Sequence, residues 1–131
     1  MTTARDLANA SAAAVKAHDR EAWLALFAED AVVEDPVGPS VLDPEGKGNR
    51  GKAAIARFYD MAIGPNKDVT FEVHRSILCG DELANVVTLH IVNQQDKKLA
   101  LPAVIVYRKS PDGKIASLRA FWEAAGIPGF G

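Results

Sequence analysis

Val69-Thr70-Phe71-Glu72-Val73 is the stretch at which the chain changes period. Apolar and polar residues alternate there with a repeat of two, the pattern of a strand with one buried face. Most of what precedes it repeats near 3.6. Residues 3–17 are Ala-rich, with Thr2 or Thr3 placed to cap a helix, and Leu7, Ser11, Ala14 and Val15 sharing one face. Asp19 restarts a second helix after a break of a residue or two, with Glu21 in its first turn and Trp23, Leu24 and Phe27 as its stripe. Residues 51–63 predict a third helix, with Ile55, Phe58, Tyr59 and Ala62 on one side and Gly64-Pro65 at its end. Downstream, strands are expected over 85–93, 99–109 and 115–123. Their turns are Gly80-Asp81, residues 94–97 and Ser110-Pro111-Asp112-Gly113, the last a strong hairpin signal. Three helices followed by a meander of long strands define an α+β fold, with helices gathered on one face of a curved sheet.

Two features fall outside this simple order. Residues 31–35 form a short apolar strand, stopped by Pro36. Residues 36–51 carry three prolines and four glycines and predict a long loop. The stretch 124–130, AAGIPGF, is expected to be loose. With 131 residues and no internal repeat or linker, one domain over 1–131 is expected.

Composition narrows the functional classes. Hydrophobic residues are 48% and charged residues 24%, the balance of a globular domain, and the net charge is −2. No basic face announces a nucleic acid or an anionic membrane. The N-terminal stretch reads as an amphipathic helix, not a signal peptide, so a cytoplasmic location is expected. Cys79 has no second cysteine to pair with and is expected to be a buried small hydrophobe. The three histidines are scattered, so no metal site is expected. GKGNRGKA at 46–53 comes near a phosphate-binding loop, but Ala53 stands where a magnesium-holding hydroxyl is needed and no apolar strand precedes it.

The residue singled out for chemistry is Asp35, at the end of the short strand. Strand parity puts Val33 and Asp35 on one face and Val32 and Glu34 on the other. A carboxylate facing a mostly apolar hollow is poorly solvated, which raises its basicity and suits it to moving protons. Pro36 restrains the backbone that aims it.

The stretch AHDREAWLALFAEDAVVEDPVG at 17–38, with RGKAAIARFYD at 50–60 and, more weakly, GKIASLRAFW at 113–122, resembles the bacterial ketosteroid isomerases of the nuclear transport factor 2-like (SnoaL-like) superfamily. The resemblance implies a cone, or cystatin-like roll: a strongly curved, mostly antiparallel sheet wrapped around three N-terminal helices. It implies that Asp35 is the general base of an intramolecular proton transfer, moving a double bond from Δ5 to Δ4 in a steroid or similar polycyclic ketone. No cofactor is implied. The cavity wall it implies comprises Val15, Phe27, Phe58, Tyr59, Met61, Leu89, Val104, Leu118, Ala120 and Trp122. It also implies a homodimer through the outer sheet face, with Ile105, Tyr107 and Phe121 as its contacts.

The chain departs from that family where the enolate oxygen is held. Ser11 stands at the position of the helix-1 Tyr donor. Val104, counted from Pro102, or Ile105, counted back from GKIAS, stands at that of the Asp donor. Tyr59, with Ser11 or a water, and Trp122 through its indole N–H are the expected substitute donors. The insertion-like loop 38–50 lies at the expected cavity mouth, as a lid or as a tolerated surface insertion. The alternatives are a steroid- or lipid-binding protein without turnover, and a dehydratase, cyclase or hydrolase on the same cone. The hydrolase reading needs Arg119 beside Asp35, and parity turns Arg119 outward.

Overall fold

The structure, a computed structural model, describes residues 1–125 and 127; the expected loose tail falls partly outside these. Helix α1 runs Ala4–Lys16, α2 Arg20–Ala25 and α3 Lys52–Phe58, the last continued by a π-helical turn, Tyr59–Ile63. Strands are β1 Phe27–Glu34, β2 Asn49–Arg50, β3 Asp68–Cys79, β4 Glu82–Val92, β5 Lys98–Lys109 and β6 Ile115–Phe121. They form one six-stranded sheet in the order β2-β1-β6-β5-β4-β3. β1 and β6 run parallel, and the other neighbours antiparallel. The sheet curves around the helices, which cover its inner face, as the α+β reading expects.

Local chemistry sets the helix ends. Thr3 caps α1 in a reciprocal box: its hydroxyl accepts from the Asp6 N–H at 3.1 Å, and its own N–H donates to Asp6 Oδ2 at 2.9 Å. His18 then adopts a positive φ of 57°, which turns the chain, and Asp19 caps α2 by accepting from the Ala22 N–H at 3.0 Å. Two lysines distant in sequence satisfy carbonyls at the far end of α2. Lys52 Nζ donates to the Leu24 carbonyl and Lys114 Nζ to the Ala25 carbonyl, each at 2.9 Å.

Several sequence expectations need correction. Phe27 opens β1 instead of closing a helix stripe, because the Ile115 N–H draws the Leu26 carbonyl to 2.8 Å and starts sheet pairing there. Residues 49–50 pair with β1 as an edge strand inside the expected loop. Cys79 is exposed, since it ends β3, which lies at the sheet edge. The parity of β5 is the reverse of that expected. Leu101, Ala103, Ile105 and Tyr107 point into the core, while Val104 is 37% exposed on the outer face. Ile105 and Tyr107 therefore cannot serve as outer-face contacts. The outer face instead carries a cross-strand row, Val86–Val104–Phe121, each side chain exposed.

Candidate active site

Asp35 directly follows β1, so its position is fixed by the central β1–β6 pairing. The Val37 N–H donates to the Ala120 carbonyl at 2.9 Å, extending that contact past the strand end, and the Asp35–Pro36 peptide is cis. The carboxyl lines a cavity of about 120 Å³ between helices and sheet. Trp122, just beyond β6, donates its indole N–H to Asp35 Oδ1 at 2.6 Å. Burial pushes the Asp35 carboxyl up to about 6, with the Trp122 hydrogen bond pulling the other way. Desolvation outweighs that hydrogen bond.

The wall is apolar apart from Asp35, the Trp122 indole and Asn66. The Asn66 amide donates to the Ala62 and Ile63 carbonyls at 2.9 and 3.2 Å, closing the π-helical turn. Of the expected wall residues, Val15, Phe58, Leu89 and Trp122 line the cavity with Asp35. Phe27, Leu118 and Ala120 are buried in the core without lining it. Met61 is 56% exposed and Val104 faces outward, so neither is part of the wall. Leu42, Phe71, Ile91 and Leu101 belong to the wall and were not expected. The inner parity of β5 names Leu101. Nothing local marks Leu42, which reaches the cavity only because its loop folds back.

That loop is held by its own hydrogen bonds. Ser40 and Asp43 exchange N–H···O bonds at 2.9 and 3.1 Å, and Asp43 Oδ2 accepts from the Gly48 N–H at 2.7 Å. Gly46, at φ 68°, lies against Pro39 so closely that a Cβ would come within 2.7 Å of its nitrogen. The segment is thus folded by its own contacts, and its Leu42 lines the cavity.

The expected substitute donors are not gathered at Asp35. Ser11 is 2% exposed and accepts from the Trp23 indole N–H at 3.0 Å. Trp23 stacks edge-on against Phe27, with ring centroids 4.6 Å apart, and lies 5.4 Å from the Tyr59 ring. Together these aromatics fill the base of the interior. Burial holds the Tyr59 phenol above its ordinary value, with the Arg20 guanidinium opposing the shift. Trp122 is at the carboxylate, but its single N–H donor is committed to it. Arg119 faces away from the cavity and pairs with Glu34 at 3.1 Å, leaving no Asp35–Arg pair of the hydrolase kind.

Outside this cavity a wider concavity, about 830 Å³, lies along the outer sheet face beside Val86, Val104 and Phe121. It contains no carboxylate comparable to Asp35. On that face His90 Nε2 lies 2.7 Å from Glu72 Oε1, and His74 Nε2 2.8 Å from Thr88 Oγ1. Among the described residues no cluster of three or more His, Cys, Asp or Glu side chains is arranged to hold a metal. No described helix is long and apolar enough to cross a membrane.

The chain belongs to the SnoaL-like domain family, which matches residues 8–118. It is 32% identical over 98 residues to the steroid Delta-isomerase of Nocardioides simplex, covering 75% of this chain and 72% of that one. The Δ5-3-ketosteroid isomerase from a Mycobacterium species superposes with a TM-score of 0.87 at 36% identity, over 94% of this chain and 95% of that one. A Mycobacterium tuberculosis protein solved with estradiol-17beta-hemisuccinate gives 0.87 at 35% identity, over the same shares. The fold is therefore ketosteroid isomerase-like, in the nuclear transport factor 2-like class.

Proposed function

We propose that this protein binds a steroid or similar polycyclic ketone in the inner cavity and shifts its double bond by proton transfer through Asp35. The observation that carries the reading is a carboxylate in an apolar wall, held by one indole N–H and titrating near 6. At neutral pH it is ionised yet basic enough to accept a proton from a carbon beside a ketone. The electron pair moves to the carbonyl oxygen, giving a dienolate. Asp35, now protonated, returns the proton two carbons away, and the oxygen recovers its double bond. The proton count is unchanged, so no cofactor is required.

The ligand class is bounded by size. A cavity of about 120 Å³ is smaller than the usual 300–1,000 Å³ of a drug-sized site. A polycyclic guest therefore requires Leu42 and Ile127, which cover the cavity, to move outward. A direct assay with a Δ5-3-ketosteroid on wild type and Asp35→Asn tests the reading. Loss of turnover in the variant supports it, and equal residual rates in both reject it.

The second reading is a steroid- or lipid-binding protein without turnover. It is favoured by the side chains at the two family oxyanion positions: Ser11 lies outside the cavity wall, and neither the outward Val104 nor Ile105 carries a donor. It predicts saturable binding of a phenolic steroid with no double-bond shift. In either case the protein acts in the cytoplasm as a homodimer, paired through the Val86–Val104–Phe121 row.

A further inference from the structure

We propose that Tyr107, on the inner face of β5, donates the hydrogen bond that stabilises the carbonyl oxygen of the bound ketone while Asp35 removes the proton. The proposal rests on the isomerase reading and supplies the donor which that reading lacks. The Ser11 hydroxyl accepts from Trp23 and lies outside the cavity wall, as does Tyr59, on which the Asp35 charge does not act; the Trp122 N–H is given to Asp35, and Ile105 offers only an alkyl chain. Tyr107 is the remaining phenol. It is 3% exposed, and its hydroxyl makes no hydrogen bond among the described residues. Buried tyrosine hydroxyls ordinarily have a partner, and this one is left with a donor that a guest oxygen can take.

The sheet register places it. Val33 pairs with Leu118, Leu118 with Tyr107 and Tyr107 with Leu83, forming one inward row across four strands. Asp35 lies one inward step beyond Val33. Two strand spacings and one such step separate the main chains of Asp35 and Tyr107 by roughly 12 Å. Tyr107 lies outside the present cavity wall, and the Asp35 charge reaches its phenol. Burial holds the Tyr107 phenol well above its ordinary value, and the Asp35 charge adds to the effect, so the two groups share one electrostatic environment. Such a phenol stays neutral at any working pH, as a donor must.

A second unsatisfied group lies diagonally adjacent. Asn85, paired with Ile105, has a buried Oδ1 with no partner. A guest longer than the present cavity can extend along the inner column of β5, from Leu101 past Ala103 and Ile105. Its leading carbonyl then arrives between Asp35 and these two polar side chains.

The test is Tyr107→Phe, which removes one oxygen and keeps the ring. With a Δ5-3-ketosteroid, kcat is expected to fall about 100-fold or more, with KM changed only a few-fold. The acid limb set by Asp35 should stay near pH 6. Binding gives a readout independent of turnover. Wild type should prefer 2-naphthol over naphthalene, and Tyr107→Phe should lose about ten-fold or more of that preference. Thermal stability should not drop, because no internal partner is lost. Should Asp35→Asn abolish turnover while Tyr107→Phe stays within about three-fold, the donor assignment fails and the base assignment stands. Should wild type show no turnover, the isomerase reading fails by itself, and the naphthol preference still decides whether Tyr107 donates to a guest oxygen. An unchanged preference, no binding of either ring, or a marked loss of stability in Tyr107→Phe overturns the proposal.

Discussion

Replacing Asp35 by Asn removes a charge that the fold disfavours, so the variant should be more stable than wild type, and only above a definite pH. The Asp35 carboxyl has an ordinary value of 3.8 and titrates near 6 in the folded chain. At about 1.4 kcal/mol per pH unit, ionising it costs about 3 kcal/mol more in the native than in the unfolded state. Below pH about 4 the group is protonated in both states and contributes no difference. Between about 4 and 6 the unfolded chain releases its proton first, the native state binds more protons, and wild-type stability falls as pH rises. Above about 6 the full penalty applies. Asn does not titrate, and its side-chain oxygen still accepts the Trp122 N–H, though a neutral acceptor gives a weaker bond. The expected gain is therefore about 2–3 kcal/mol at pH 7.5, or roughly 10 °C in melting temperature for a chain of this size, shrinking to nothing by pH 4. Thermal melts of both proteins over pH 4–8 measure it. All other titrating groups are common to the two proteins, so the difference curve isolates Asp35. A flat curve, or a variant less stable than wild type at pH 7.5, refutes the claim that the carboxylate is desolvated.

Trp122→Phe removes the indole hydrogen bond to that carboxyl, so its titration should rise above 6 by about one to two pH units, read from the acid limb of kcat/KM or from the carboxyl carbon by NMR. Ser11→Ala strands the buried Trp23 N–H and should cost about 1–3 kcal/mol in denaturant unfolding; unchanged stability with lost turnover would instead return Ser11 to the reacting group. Leu42→Ala uncovers the cavity and should tighten binding of bulky steroids relative to small rings by calorimetry, whereas equal effects on both would deny the loop a role in selection. Val104→Lys places a charge in the exposed Val86–Val104–Phe121 row and should convert a dimer to a monomer in sedimentation; a monomeric wild type would refute that interface.

Periodicity made the fold class legible. The helical repeat before residue 65 and the alternation from Val69 onward describe elements whose ends tertiary contacts then shift. The β1 alternation likewise put Asp35 on the inner face, since only one register buries both Ala31 and Val33. β5 was harder because LPAVIVY is apolar on both faces, and alternation carries no sign when both sides are greasy. Arg108, outward and of the same parity as Val104, was the one local clue.

The amino-acid sequence by itself determined the order of helices and strands and the presence of one acid positioned to be desolvated, because both depend on neighbours a few residues away. Only the tertiary structure decided which donors that acid keeps, that Leu42 roofs the cavity, and that Tyr107 points inward. Those facts depend on strand register and loop path, where residues more than seventy positions apart in the chain, such as Asp35 and Trp122, become neighbours.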